Sequence, residues 1–169
     1  EIGLGIPAEP LFRSIQFTEP GTPGVFRRAF ELGGAVHRAT LYASARGLFE
    51  FTVGGRRVGE DLFAPEWTDY RRRLHYRTYD VTALLHPGRN ELGATLGDGW
   101  WSGFVGWQET RGRYGSLENS LLAQLEVELE DGSRLVVGTD GAWECAVGPI
   151  LSSDFQMGET FDARREPRD

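Results

Sequence analysis

Three features of this sequence predict an all-β protein, an antiparallel β-sandwich of jelly-roll-like layout. Short segments alternate apolar and polar residues with a period of two, the signature of half-buried strands. The 23 glycines fall at the breaks between those segments rather than in a repeat, where tight connections need them. No amphipathic pattern runs for ten residues or more at helical spacing. Eight to ten short strands, each apolar on one side and polar on the other, suit two antiparallel sheets packed face to face.

Taken in order, residues 1–24 hold four of the eight prolines and read as an extended lead-in. Phe26, Phe30 and Leu32 then form one face of a strand that Gly33-Gly34 ends. From Val36 to Ser44, Ala39, Leu41 and Ala43 alternate with Arg38, Thr40 and Tyr42. Leu48 to Val53 puts Phe49, Phe51 and Val53 on one face, and Gly54-Gly55 follows as a two-residue hairpin turn. Both central positions of a type I′ turn need positive φ, which glycine accepts. Arg56 to Val58 returns antiparallel, and Gly59 to Arg72 reads as a long loop. A strand is expected over Arg73–Tyr79, then a single helical turn through Leu85 capped by Asp80.

The stretch that organises the chain is NELGATLGDGWWSGFVGW, Asn90 to Trp107. Leu92, Ala94 and Leu96 alternate as a strand, and Gly97-Asp98-Gly99 breaks the pattern into a glycine-rich loop. The clearest strand comes later, with Ala123, Leu125, Val127 and Leu129 interleaved by Gln124, Glu126 and Glu128. Asp131-Gly132 turns it back into Ser133–Gly138. Trp143–Val147 and Ile150-Leu151 supply further short strands, and residues 157–169 lose periodicity.

Composition narrows the function. A chain of 169 residues is most simply one domain with a core of its own. The net charge of −7 argues against nucleic acid, whose affinity rests on cations neutralising phosphates. The Arg71-Arg72-Arg73 run sits among acids and reads as a solvated or interdomain face. No segment is apolar enough to span a membrane as a helix. Cys145 stands alone, so no internal disulfide exists, and its apolar setting beside Trp143 suggests a buried thiol. The opening EIGLGIPAEP and the closing ARREPRD both read as cut from something longer.

The candidate site lies where acids and large rings meet in loops. Trp100 and Trp101 follow Asp98, while Trp67 and Asp69 lie in the long loop. Sugars present apolar C–H faces that stack on indoles, and hydroxyls that bond to carboxylates. The same rings would equally serve as a cap on one end of the core, since Trp is usually well buried. No nucleophile elbow, phosphate loop, dinucleotide fingerprint or zinc motif is present. A glycosidase needs two carboxylates flanking the scissile bond, and Asp69 and Asp98 are the candidates in loops beside aromatics.

Several motifs resemble one family in the right order: WTDY (Trp67 to Tyr70), YRTYDVT (Tyr76 to Thr82), GDGWW (Gly97 to Trp101) and GETFDAR (Gly158 to Arg164). Over roughly Phe26 to Pro167 the chain resembles the N-terminal β-sandwich domain of bacterial α-L-rhamnosidases. The resemblance implies a sandwich over 25–156, an exit segment at 157–169, and a catalytic (α/α)₆ barrel absent from this sequence. It implies no catalytic residue here. The partners it implies are a rhamnose-containing glycan, or else that barrel alone, with Arg71 to Arg73 and Asp162 to Arg165 at the joint. Trp67, Trp100 and Trp101 would stack on sugar, and Asp69 and Asp98 would take its hydroxyls. Some such domains hold the sugar through calcium, for which Asp69, Asp98, Glu118 and Asn119 are the available oxygen donors, with no DxDxD-type cluster among them.

Overall fold

The alternating segments pair as two five-stranded antiparallel sheets in a computed structural model that describes residues 15–17, 22–107, 110–112, 114 and 118–166. One sheet holds β1 (Ile15–Phe17), β3 (Val36–Arg46), β6 (Arg77–Asp80), β8 (Asn119–Leu129) and β9 (Arg134–Gly138). Its order is β1-β8-β3-β6, with β9 also pairing with β8. The other holds β2 (Gly24–Leu32), β4 (Leu48–Val53), β5 (Arg56–Arg57), β7 (Gly88–Gly97) and β10 (Glu144–Val147), ordered β10-β2-β7-β4-β5. A separate hairpin, β11 (Ile150–Asp154) with β12 (Gly158–Phe161), belongs to neither.

One apolar core lies between the sheets because each long strand turns its alternate residues inward. Leu121, Ala123, Leu125, Val127 and Leu129 of β8 are all buried, as are Leu92, Ala94 and Leu96 of β7. Size alternates across the ladder. Ala94 is flanked in register by Phe26 on one side and Phe51 on the other, so its small side chain makes room for both rings. Each such phenyl contributes about 1.5–3 kcal/mol when buried.

The Gly54-Gly55 turn forms as expected, with φ of 54° and 76°. The helical turn forms as a 3-10 turn (Thr82–Leu84) whose N-cap position is Val81 rather than Asp80; Asp80, one residue earlier, accepts the Thr82 N–H at 2.9 Å. The Thr82 hydroxyl and N–H together hold the Asp80 carboxyl below its usual range.

Four further expectations need correction. The strand expected from Arg73 begins only at Arg77, because Asp69 O accepts the N–H groups of Arg72 and Arg73 and keeps that stretch in a turn. Cys145 is exposed, not buried, since β10 is an edge strand with little covering either face. The aperiodic tail contains β12, a four-residue strand too short to announce itself by alternation. Ile15–Phe17 of the lead-in joins the first sheet as β1; residues 1–14 lie outside the described residues.

Candidate functional site

The site grows from the end of β7. Past Gly97 the chain turns at Asp98 into one helical turn, α1 (Gly99–Ser102). Gly99 has φ of +52°, and an added Cβ would lie 2.5 Å from the Leu48 side chain, so the turn requires glycine. Successive residues of a helix point about 100° apart. Trp100 and Trp101 therefore part company.

Trp101 goes inward and is 3% exposed. Its indole N–H donates to Glu118 O at 3.1 Å, its face lies 5.9 Å from Tyr114, and the Arg46 guanidinium sits 5.1 Å from its centroid. Trp100 goes outward into a cluster of rings. It stacks on Trp67 at 6.1 Å and 6°, and meets Phe155 at 4.5 Å and Phe63 at 6.2 Å. Trp67 is 53% exposed, and its indole N–H is steadied by the Tyr114 hydroxyl at 3.2 Å. Burial, and then the neighbouring Tyr114, push the Tyr70 hydroxyl up to about 12. Tyr70 thus stays neutral beneath this platform.

Phe63 carries a second signal. It holds φ of +60°, and Glu66 holds +83°, conformations that cost non-glycine residues free energy. The strained turn persists because its centre is fixed: Ala64 and Pro65 are buried, Ala64 O accepts the Phe49 N–H at 2.9 Å, and Phe63 O accepts the Glu66 N–H. The result is a phenyl ring held more than half exposed beside the indoles.

Asp98 is 4% exposed, and both its oxygens are engaged. Arg111 donates to one at 2.9 Å and Asn119 to the other at 2.8 Å. Ser102 Oγ donates to Asn119 at 2.6 Å, and Arg111 also reaches Ser102 O and lies over the Phe104 ring. This closed network ties β7, α1, the segment after Gly103 and β8 together. Asp69 is exposed and serves its own turn, accepting from Arg71 N–H and pairing with Arg72. So Trp67 and Trp100 are brought together, whereas Trp101 and Asp98 serve as supports and Asp69 stands on the loop.

No group of three or more His, Cys, Asp or Glu able to hold a metal occurs among the described residues. Asp98 and Asn119 bond to each other, and Arg111 supplies the positive charge that a cation would. Asp98 and Asn119 are thus already bonded to other groups rather than open to a calcium ion.

Beside the rings opens a cavity of about 430 Å³, within the usual range for small-molecule sites. One wall is the end of β4 and β7 with Asp98; the other is the β11–β12 hairpin. Phe63 and Phe155, 5.0 Å apart, belong both to the cavity lining and to the ring cluster. Asp154 fastens the hairpin: one carboxylate oxygen accepts the Phe104 N–H at 2.7 Å, the other the Gln156 and Met157 N–H groups. Phe63, Phe155, Asp154 and Glu159 were not singled out from the sequence. The usable signal was Asp154-Phe155, another acid followed by a ring at a turn.

A two-layered antiparallel domain with a ring-and-carboxylate rim is the class that this fold and site define. Residues 34–169 match the family described as the alpha-L-rhamnosidase N-terminal domain, and the chain belongs to that family. It is 52% identical over 133 residues to an alpha-L-rhamnosidase of Streptomyces avermitilis, covering 78% of this chain and 12% of that protein. The crystal structure of the Streptomyces avermitilis alpha-L-rhamnosidase complexed with L-rhamnose superposes with a TM-score of 0.82 at 47% identity, over 86% of this chain and 14% of that one. The native Aspergillus terreus enzyme superposes at 0.83 and 40% identity, over 89% and 17%. The chain therefore spans a small part, 12% to 17%, of these relatives.

Proposed function

We propose that this chain is a non-catalytic β-sandwich domain of a multidomain α-L-rhamnosidase, an enzyme acting on terminal α-L-rhamnose, and that it binds rhamnose-containing glycan on Trp67. The observation that carries the reading is the braced, half-open indole of Trp67, backed by Trp100 and held by the Tyr114 hydroxyl. A flat apolar face held rigid at low entropic cost is what a sugar's C–H face stacks on. That a relative of the same fold is known in complex with L-rhamnose supports the ligand class. The jelly-roll-like layout expected from the sequence is in keeping with a chain that alternates between the two sheets.

The non-catalytic part rests on the acids. Inverting hydrolysis needs an acid and a base on opposite sides of the bond with room for water. Asp98 is locked by Arg111 and Asn119, and Asp69 caps a turn, so neither offers a free carboxyl facing the other. Exposed Leu62, Met157, Phe161 and a 94% exposed Trp107 favour a second role, packing against the catalytic barrel of the same parent chain.

The test is titration of L-rhamnose against intrinsic tryptophan fluorescence, with calcium and with chelator. A saturable change, lost in Trp67→Ala and the same under both conditions, is expected. A response absent at millimolar sugar leaves only the packing role, and turnover of an aryl α-L-rhamnoside by this chain overturns the non-catalytic assignment.

A further inference from the structure

A second cavity, of about 450 Å³, opens at the start of β7, between the β4–β5 turn and the segment after the 3-10 turn. We infer that it binds a hydroxylated carboxylate of the sugar-acid type. The ring cluster grows from the other end of β7, and ten extended residues separate the two places by about 30 Å. The inference therefore stands apart from the reading of Trp67.

The walls are fixed in advance. Asn90 is 5% exposed; its amide donates to His86 O at 2.6 Å and to Gly88 O at 2.9 Å, and its oxygen accepts the His86 N–H at 3.2 Å. That side chain pins residues 86–90. The Gly54 N–H donates to Glu91 O at 2.9 Å and ties the Gly-Gly turn to β7. A ligand entering here meets a wall already in place, which lowers the ordering cost of binding.

Arg56 and Arg89 both line this cavity, and neither forms an ion pair or hydrogen bond among the described residues. By contrast, Arg27, Arg57 and Arg77 each meet a carboxylate. Glu31 stands in register with Arg89 on β2 without pairing with it. Glu91 also lines the cavity, but its charge is shared with β2, where Glu144 first and Glu91 after it keep Arg27 protonated. Two guanidiniums thus border the cavity against one carboxylate, in a chain of net charge −7. Their planar forks of donors match a carboxylate.

His86 adds the second requirement. Its Nδ1 lies 2.9 Å from Pro87 O, and a carbonyl can only accept, so Nδ1 carries the proton and Nε2 is left as an acceptor. A ligand hydroxyl satisfies that nitrogen. Val53 and Leu84 give the cavity an apolar side for the carbon skeleton. A neutral sugar leaves both guanidiniums without a partner, and inorganic phosphate leaves the apolar side empty. A sugar acid uses all three.

Calorimetric titration of the chain with sodium glucuronate, glucose and inorganic phosphate at one ionic strength tests this. Glucuronate is expected to bind about tenfold more tightly than either of the others, as two exposed charge-assisted contacts are worth. Arg56→Gln combined with Arg89→Gln, both exposed, should erase that preference without moving the melting temperature. His86→Phe should weaken glucuronate and leave phosphate unchanged. Amide resonances of residues 86–91 should shift with glucuronate while the Trp67 indole stays in place. Glucose or phosphate binding as tightly as glucuronate overturns the inference, as does a preference that survives the double arginine variant. No binding of glucuronate also overturns it.

Discussion

At the scale of single residues, Trp100 and Trp101 are adjacent in sequence and separated in role by one helical turn, one carrying the ring cluster and the other buried beneath it. Four residues are too few to show a helical period, so nothing in the sequence divides them. Asp98 was equally illegible. Its partners Arg111 and Asn119 are 13 and 21 residues away, and only the fold brings them in. Asp98→Ala should lower stability by about 2–4 kcal/mol, because it strands a guanidinium and a buried amide; chemical denaturation measures it. Tyr70 gives a pH prediction. Its hydroxyl, raised to about 12, favours the neutral form in the fold, so stability is intact below its ordinary value of about 10 and falls as pH rises through 12. In Tyr70→Phe the alkaline unfolding midpoint should move upward, and the absorbance step near pH 12 should shrink.

At the scale of elements, what alternates is what could be read. The limits of β4 come straight from Phe49, Phe51 and Val53, and the second half of β8 from its apolar–polar alternation, whereas its start at Asn119 was not legible. The Gly-Gly turn was legible because only glycine meets its two positive φ angles without strain. Of the β11–β12 hairpin only Ile150-Leu151 was legible, because its residues are all half-buried or exposed and leave no long apolar face to detect. What holds it is polar and local. Gly103 lies at that junction, where an added Cβ would clash with the backbone Gly99 O of α1 and sit 2.7 Å from Asp154 Oδ2. Gly103→Ala should therefore distort the end of α1 and push the Asp154 carboxylate off the Phe104 N–H. Amides of residues 151–161 are expected to exchange with deuterium at least tenfold faster, a loss of about 1.4 kcal/mol of local stability, while those of β7 and β8 keep their protection.

At the scale of the whole molecule, two sheets supply rigidity and their connections supply the site. The end of β4 and β7, α1, the long loop and the hairpin meet at one rim. This division is the usual one between scaffold and loop. It also explains why fold and family were readable while the site was readable only in part: the rings could be named, but their facing directions depend on turns. Replacing Trp67 with Ala should abolish sugar binding while changing stability by less than about 1 kcal/mol, since its indole is more than half exposed; fluorescence-monitored unfolding alongside calorimetry separates the two effects. The most direct measurement of the account is a ¹H–¹⁵N spectrum of the five tryptophan indole N–H groups during titration with L-rhamnose. The Trp67 resonance is expected to shift saturably and that of buried Trp143, bonded to Gly138 O, to stay in place. A Trp67 resonance that does not move at millimolar sugar contradicts the claim that this rim receives a glycan.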